Sequence, residues 1–228
     1  VFDFLSNPDY HLVDAFWMTI KLTFFSAIGA LIWGTILVAM RVSPVPIMRG
    51  FATVYVNIFR NTPLTVIIVF TSLGLSSTLG INLASANSST SLADNAFRLA
   101  ILGFVVYTAT FVCESLRSGI NTVPVGQAEA ARALGLNFVQ VLRLIVLPQA
   151  FRSVIAPLAN VLIALLKNTT VAAVISVAEA AALMSTMVEN ESDSLFLVFL
   201  VFAAVFVALV LPLGLILGWV AKKVEVKR

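Results

Sequence analysis

The sequence predicts an all-α polytopic membrane protein with five transmembrane helices. Of its 228 residues, 60% are apolar and only 11% are charged. The mean hydropathy is +1.04, and the apolar residues collect in stretches of roughly 20, the length that crosses a hydrocarbon core. Soluble domains run near about 45–50% apolar and about 25% charged, so a soluble enzyme is excluded. Five spans with short loops leave no room within this length for an attached soluble domain, and chemistry outside the membrane falls to another chain.

The first span is read over residues 15–40, where the uncharged run 22–40 lies between Asp14 and Arg41. The second, 51–75, is interrupted near its middle by Arg60, Asn61, Thr62 and Pro63, a polar break that must face protein or water. The third covers 97–117, and the fourth, 149–167, is expected to bend or loosen at Pro157. The fifth, 195–221, is the longest uncharged run.

Between the last two, residues 168–194 suit either a sixth span or a short external helix pair, and charge bias decides for the pair. With five spans and the N-terminus outside, the inner side holds nine cations: Arg41, Arg49, Arg117, Arg132, Arg143, Lys222, Lys223, Lys227 and Arg228. The outer side holds two, Arg98 and Lys167. A sixth span would move the basic tail outside and bring Glu189, Glu191 and Asp193 inside, against the positive-inside rule. The reading is therefore N-out and C-in, a single membrane domain over 1–228.

Redox and metal chemistry find little support: Cys113 is the only cysteine and His11 the only histidine. The net charge of +3 is spread over loops, so lipid rather than nucleic acid is the expected partner. The opening carries Asp3, Asp9 and Asp14 with no basic n-region, so no cleavable signal is expected. Residues 85–91, rich in Ser and Asn, read as an outer spacer loop. No internal repeat occurs, so any two-fold axis relates two chains. Lys21 and Asp14 read as interfacial anchors, and Trp17, Trp33 and Trp219 as lipid or packing contacts.

The longest inner loop, 117–148, is too ordered for a linker. Residues 127–134 are rich in helix formers, Gly135 suits a left-handed helix end, and Asn137 suits the N-cap of the next helix. The first helix is covered with small residues, Ala128, Ala130, Ala131 and Ala133, beside Glu129 and Arg132. It resembles a docking peg, although composition alone equally allows an interfacial amphipathic helix.

Spacing is more specific. Glu129-Ala130-Ala131, three residues, Gly135, nine residues, then Ile145-Val146-Leu147-Pro148 match the EAA pattern of permease subunits of ATP-binding-cassette importers. Arg60-Asn61-Thr62-Pro63-Leu64, Glu114-Ser115-Leu116-Arg117-Ser118-Gly119-Ile120 and Lys167-Asn168-Thr169-Thr170 are similar to the polar-amino-acid, HisM/GlnP-like branch. Residues 15–23, Ala-Phe-Trp-Met-Thr-Ile-Lys-Leu-Thr, resemble actinobacterial glutamate-uptake permeases.

The resemblance implies the type I ABC importer permease fold in the bacterial plasma membrane, with two permease chains, identical or related, side by side. It also implies two ATPase subunits beneath them and an external amino-acid-binding protein above. The sequence holds no G-x-x-x-x-G-K-[ST] loop, so ATP and Mg are expected in the partner ATPase, with no cofactor on this chain. In that picture Glu129 pairs with a cation of the ATPase, Ala130 and Ala131 keep the contact close, Gly135 makes the elbow, and Pro148 stops the second short helix.

For the substrate pathway the candidates are Arg60, Asn61, Thr62 and Pro63, with Lys167, Asn168, Thr169, Thr170 and Glu179 as another wall or gate. A charge within the membrane usually faces a cavity. Arg60 has two open roles: meeting a substrate α-carboxylate, or pairing with Glu114 or Glu179 to hold the fold. Capping and snorkelling remain open for residues 167–170. The competing class is an ion- or proton-coupled secondary transporter, for which the loop has no use; an intramembrane hydrolase lacks its motifs.

Overall fold

The computed structural model describes residues 7, 10–85 and 90–224. Asp3, Asp9, the middle of the 85–91 spacer, Lys227 and Arg228 lie outside the described residues. Helices α1 (Leu12–Arg41), α4 (Ser91–Ile120) and α10 (Leu195–Val224) are each 30 residues long. Together with Ile155–Ile175 they make four spans, and α2 (Pro46–Asn61) with Leu64–Thr78 makes a fifth, broken one. The break has a local cause. Pro63 excludes Thr62 from the helical region, and both residues are extended, with ψ of 133° and 135°. Beyond it, α3 (Leu64–Val69) widens into a π-helix over Phe70–Thr78.

Two of the expected boundaries are corrected. Pro148 does not end a helix: α6 (Phe138–Val141) runs through a π stretch, Leu142–Val146, into α7 (Leu147–Ser153), with Pro148 in its first turn. Pro148 has no N–H for the helix to bond, and the π stretch just before it widens the ladder there, so the helix passes through the proline unbroken. The interruption falls instead at Val154 (φ −116°, ψ 13°). The fourth span therefore begins at Ile155 rather than near 149, as α8 (Ile155–Asn168) continued by a 3-10 stretch, Thr169–Ile175. Pro157 sits in the first turn of α8 and offers no N–H to the Ser153 carbonyl, so the loosening expected of it appears one turn earlier, at Val154. The 11-residue α9 (Ala180–Asn190) is about 16 Å long, too short to cross, which agrees with five spans.

The chain forms two compact units. One contains the described residues up to Ile28 with Pro63–Val105 and Ala164–Pro212. Its core joins Leu22, Ile68, Ala100, Phe104 and Leu165, and a second cluster sets Met187, Val198 and Phe202 around Phe16. The backbone N–H of Ala180 donates to Thr19 Oγ1 at 3.2 Å, fixing the start of α9 to α1. The other unit contains Gly29–Thr62, Val106–Ile163 and residues from Leu213 onward. Ala30, Leu37, Val38, Ala52, Val56, Val112, Cys113 and Leu158 form its core.

In that core α1 and α4 approach closely at Gly34, where an added Cβ would stand 2.6 Å from Val112 Cβ and 2.9 Å from the Ala109 carbonyl oxygen. Small residues at such crossings bring membrane helices into van der Waals contact. Gly34→Ala should destabilise the purified protein by about 1–3 kcal/mol through overpacking. Gly50→Ala, with nothing within 4 Å, should be neutral or stabilising; thermal unfolding of both variants in detergent checks the pair.

Candidate functional site

The loop between α4 and α8 builds its own rigidity. Pro124, extended at ψ 128°, leads into α5 (Val125–Ala133). At its far end Gly135 N donates to Arg132 O (2.9 Å) and Leu136 N to Ala131 O (3.2 Å), with Gly135 at φ +86°. Those paired bonds need a left-handed residue, which glycine adopts without a Cβ clash. Asn137 then caps α6 reciprocally: Gln140 N donates to Asn137 Oδ1 and Asn137 N to Gln140 Oε1, both at 2.9 Å. Gln149 Nε2 donates to Gln127 Oε1 at 2.6 Å, tying α7 to α5.

The orientation of α5 corrects part of the sequence reading. Ala131 is 5% exposed and packs on Val141, Leu142 and Val146, so it contacts its own loop rather than a partner. Glu129, Ala130, Arg132 and Ala133 point outward. Val125 and Leu134 at the two ends of the helix are 71% and 84% exposed. The result is a peg with a small-residue face, one acid, one base and an apolar residue at each end.

In the same unit, four side chains meet at the ends of α1, α2 and α4. Arg41 Nη1 donates to Glu114 Oε1. Arg60 Nη1 and Arg117 Nη1 stand 3.9 Å and 4.0 Å from Glu114 Oε2, too far for hydrogen bonds. One carboxylate therefore faces three guanidinium groups, of which Arg60 is half-exposed at 52%. The pairing with Glu114 that the sequence allowed for Arg60 is present, as a loose contact.

Its neighbours are held locally. Asn61 Nδ2 donates to Asn57 O (2.7 Å) and Thr62 Oγ1 to Ile58 O (2.8 Å), closing the end of α2 on its own carbonyls. Pro63 belongs to the break itself.

In the first unit, Thr169 is buried with its hydroxyl on Leu166 O (2.6 Å), and Thr170 donates to Lys167 O (2.9 Å). Lys167 and Thr170 also line a cavity of about 550 Å³ with Phe206, Val207, Val210 and Leu211. Asn168 is half-buried beside them. Glu179 is fully buried and caps α9, accepting from Ala181 N and Ala182 N at 2.9 Å each. Its two oxygens are thus engaged away from any open wall, and the gate role expected for it is not what this geometry gives. Burial raises the Glu179 pKa above its ordinary 4.5, and the two amide bonds oppose that rise only in part. Sequence reasoning offers Glu114 only as one of two partners for Arg60 and misses its role as a hub for three guanidinium groups; it also misses the reciprocal cap at Gln140, which the Asn-x-x-Gln spacing signals.

Residues 30–226 match the family described as binding-protein-dependent transport system inner membrane component, and the chain belongs to that family, a multi-span membrane permease of ABC transporters. It is 59% identical to the glutamate transport system permease protein GluC of Corynebacterium efficiens over 217 residues, 95% of each chain. With the protein of the same name from Corynebacterium glutamicum the identity is 58% over the same shares. A solved amino acid ABC transporter superposes with a TM-score of 0.77 at 25% identity, covering 93% of both chains.

Because the folded pKa of Glu179 lies above 4.5, the stability tied to its neutral form is complete below that value and is lost as pH rises through the folded one. The unfolding temperature should therefore fall with rising pH relative to Glu179→Gln, which keeps an acceptor oxygen and carries no charge. Melting curves of both proteins between about pH 4 and 8 test this; parallel profiles would refute it.

Proposed function

We propose that this chain is the transmembrane subunit of an ATP-driven importer for polar amino acids, with glutamate as substrate. Its likeness to two glutamate permeases across 95% of their length supports the substrate. The outward Glu129–Ala130 face of α5, on a loop matching the EAA pattern, supports the coupling and is the observation that carries the reading. A pair of ATPase subunits receives α5 in a cleft, and Glu129 meets a cation there. Val125 and Leu134, unusually exposed for apolar side chains, are covered by the docked partner. ATP and Mg stay with that partner. A second permease chain, identical or related, completes the pathway, and an external binding protein delivers the amino acid.

Nucleotide-driven closure of the ATPase pair moves α5 as a rigid body, and the permease changes between inward- and outward-open states. Arg60 takes the α-carboxylate common to amino acids rather than the side chain, so it holds substrate without choosing it. Lys167 and Thr170, at the rim of the apolar cavity, belong to the other wall.

The test is uptake of radiolabelled glutamate by the complex reconstituted in liposomes with the binding protein. Uptake should require ATP and persist when ion gradients are collapsed; uptake driven by a gradient without ATP would overturn the reading. Glu129→Lys should leave the chain inserted while uptake and glutamate-stimulated ATP hydrolysis fall together, by tenfold or more for a lost charge-assisted contact worth about 1.5–3 kcal/mol. Full uptake in that variant would remove Glu129 from the interface.

A further inference from the structure

The middle of α2 lies at the depth of the middle of a span, because Tyr55 Oη donates at 3.0 Å to the carbonyl of Val106, halfway along the 30-residue α4. At 100° per residue, α2 divides into three faces. Ala52 and Val56 are buried in the core. Ile47, Phe51, Val54 and Ile58, spaced four, three and four apart, are each more than half exposed and suit lipid. The third face carries Arg49, Thr53, Asn57 and Arg60 at positions i, i+4, i+8 and i+11. Arg49, Asn57 and Arg60 are exposed and Thr53 half-buried.

Arg49 donates to the Ser43 carbonyl at 3.4 Å at the start of α2, but lipid does not account for Thr53 and Asn57, which lie within a turn of Tyr55, since polar groups at that depth are stable only against protein or water. The third face also ends at the Glu114 cluster, where Arg60 and Arg117 approach the carboxylate without hydrogen-bonding it. With Arg41 already bonded to Glu114, the cluster keeps an excess of two positive charges, an attractive field for a carboxylate at the end of a polar lane.

We propose that the Arg49–Thr53–Asn57–Arg60 face of α2 is wet and lines the exit half of the translocation pathway toward the basic side of the membrane. The carboxylate of the departing amino acid is held there by Arg60 and Arg117. The proposal rests on the importer reading for its solute, while the wetness of the lane stands on geometry alone.

Single cysteines in the assembled complex, in inside-out membrane vesicles, separate the two. The native Cys113 is buried, stays in place, and makes the unmodified protein the blank. Anionic and cationic methanethiosulfonates are added to Thr53→Cys and Asn57→Cys on the polar face, and to Val54→Cys and Ile58→Cys on the apolar one. The polar positions should react at least tenfold faster. At Asn57→Cys the anionic reagent should be favoured, a preference that Arg60→Gln reduces severalfold. Glutamate, or trapping of the ATPase with vanadate, should slow the reaction. Equal rates on the two faces, or no reaction at Asn57→Cys and Thr53→Cys in vesicles that still transport, would overturn the lane and leave the importer reading intact. A clear contrast between faces with no effect of glutamate or vanadate would leave the lane standing and overturn its assignment to this substrate.

Discussion

In a hydrocarbon core, a backbone N–H or C=O without a partner costs several kcal/mol, and polar side chains of this protein return to the backbone at the ends of α2 and α8. The broken second span is the sharpest case. Pro63 cannot donate, and the extended Thr62 stops the helical ladder just beyond the carbonyls of Asn57 and Ile58. Asn61 and Thr62 meet those same two carbonyls with their side chains. At the end of α8, Thr169 and Thr170 do the same for Leu166 and Lys167. A polar tetrapeptide in a span therefore satisfies its own backbone first, and only the groups left over are available to a solute.

Charges obey the same rule with larger penalties. Glu179, enclosed within the first unit, is tolerated because two α9 amides take both oxygens. Glu114 is tolerated because Arg41 bonds it and two further guanidinium groups stand near. The two acids differ in what they leave over. Glu179 ends with neither oxygen free, whereas the Glu114 cluster ends with more cation than anion and with Arg60 half open. Ion-pair arithmetic thus separates a structural acid from a cluster with capacity for an anionic visitor, which composition alone does not do.

Much of this is legible in the sequence. Span number followed from apolar run length and cation bias, and the left-handed Gly135 and the Asn137 cap followed from local turn chemistry, which needs no tertiary information. The failures are tertiary. Ala131 looked like its neighbour Ala130, and only packing against Val141, Leu142 and Val146 assigns it inward. Pro148 suggests a helix stop, yet the helix runs through it behind a π stretch, whereas the loosening expected of Pro157 is found at Val154, one turn before it. The Glu114 cluster gathers residues 41, 60, 114 and 117 from three helices, a meeting that hydrophobic periodicity does not encode.

The coupling loop is stiff for a reason that bears on how work crosses it. Its glycine elbow is closed by two backbone bonds, its second helix by a reciprocal side-chain cap, and its two ends by Gln149 on Gln127. Beneath α5, Ala131, Val141, Leu142 and Val146 pack with Ala39 and Val42 from the end of α1 and its exit, and with Ile120 from the end of α4. Ile120 also packs on the core that contains Val112, Cys113 and Leu116. Close-packed interiors transmit displacement rather than absorbing it. A push on the exposed face of α5 cannot be dissipated by flexing the loop and must carry the adjoining ends of α1 and α4 with it. Those ends hold Arg41, Glu114 and Arg117, so the motion that a partner imposes on the peg arrives at a cluster whose charges are incompletely matched.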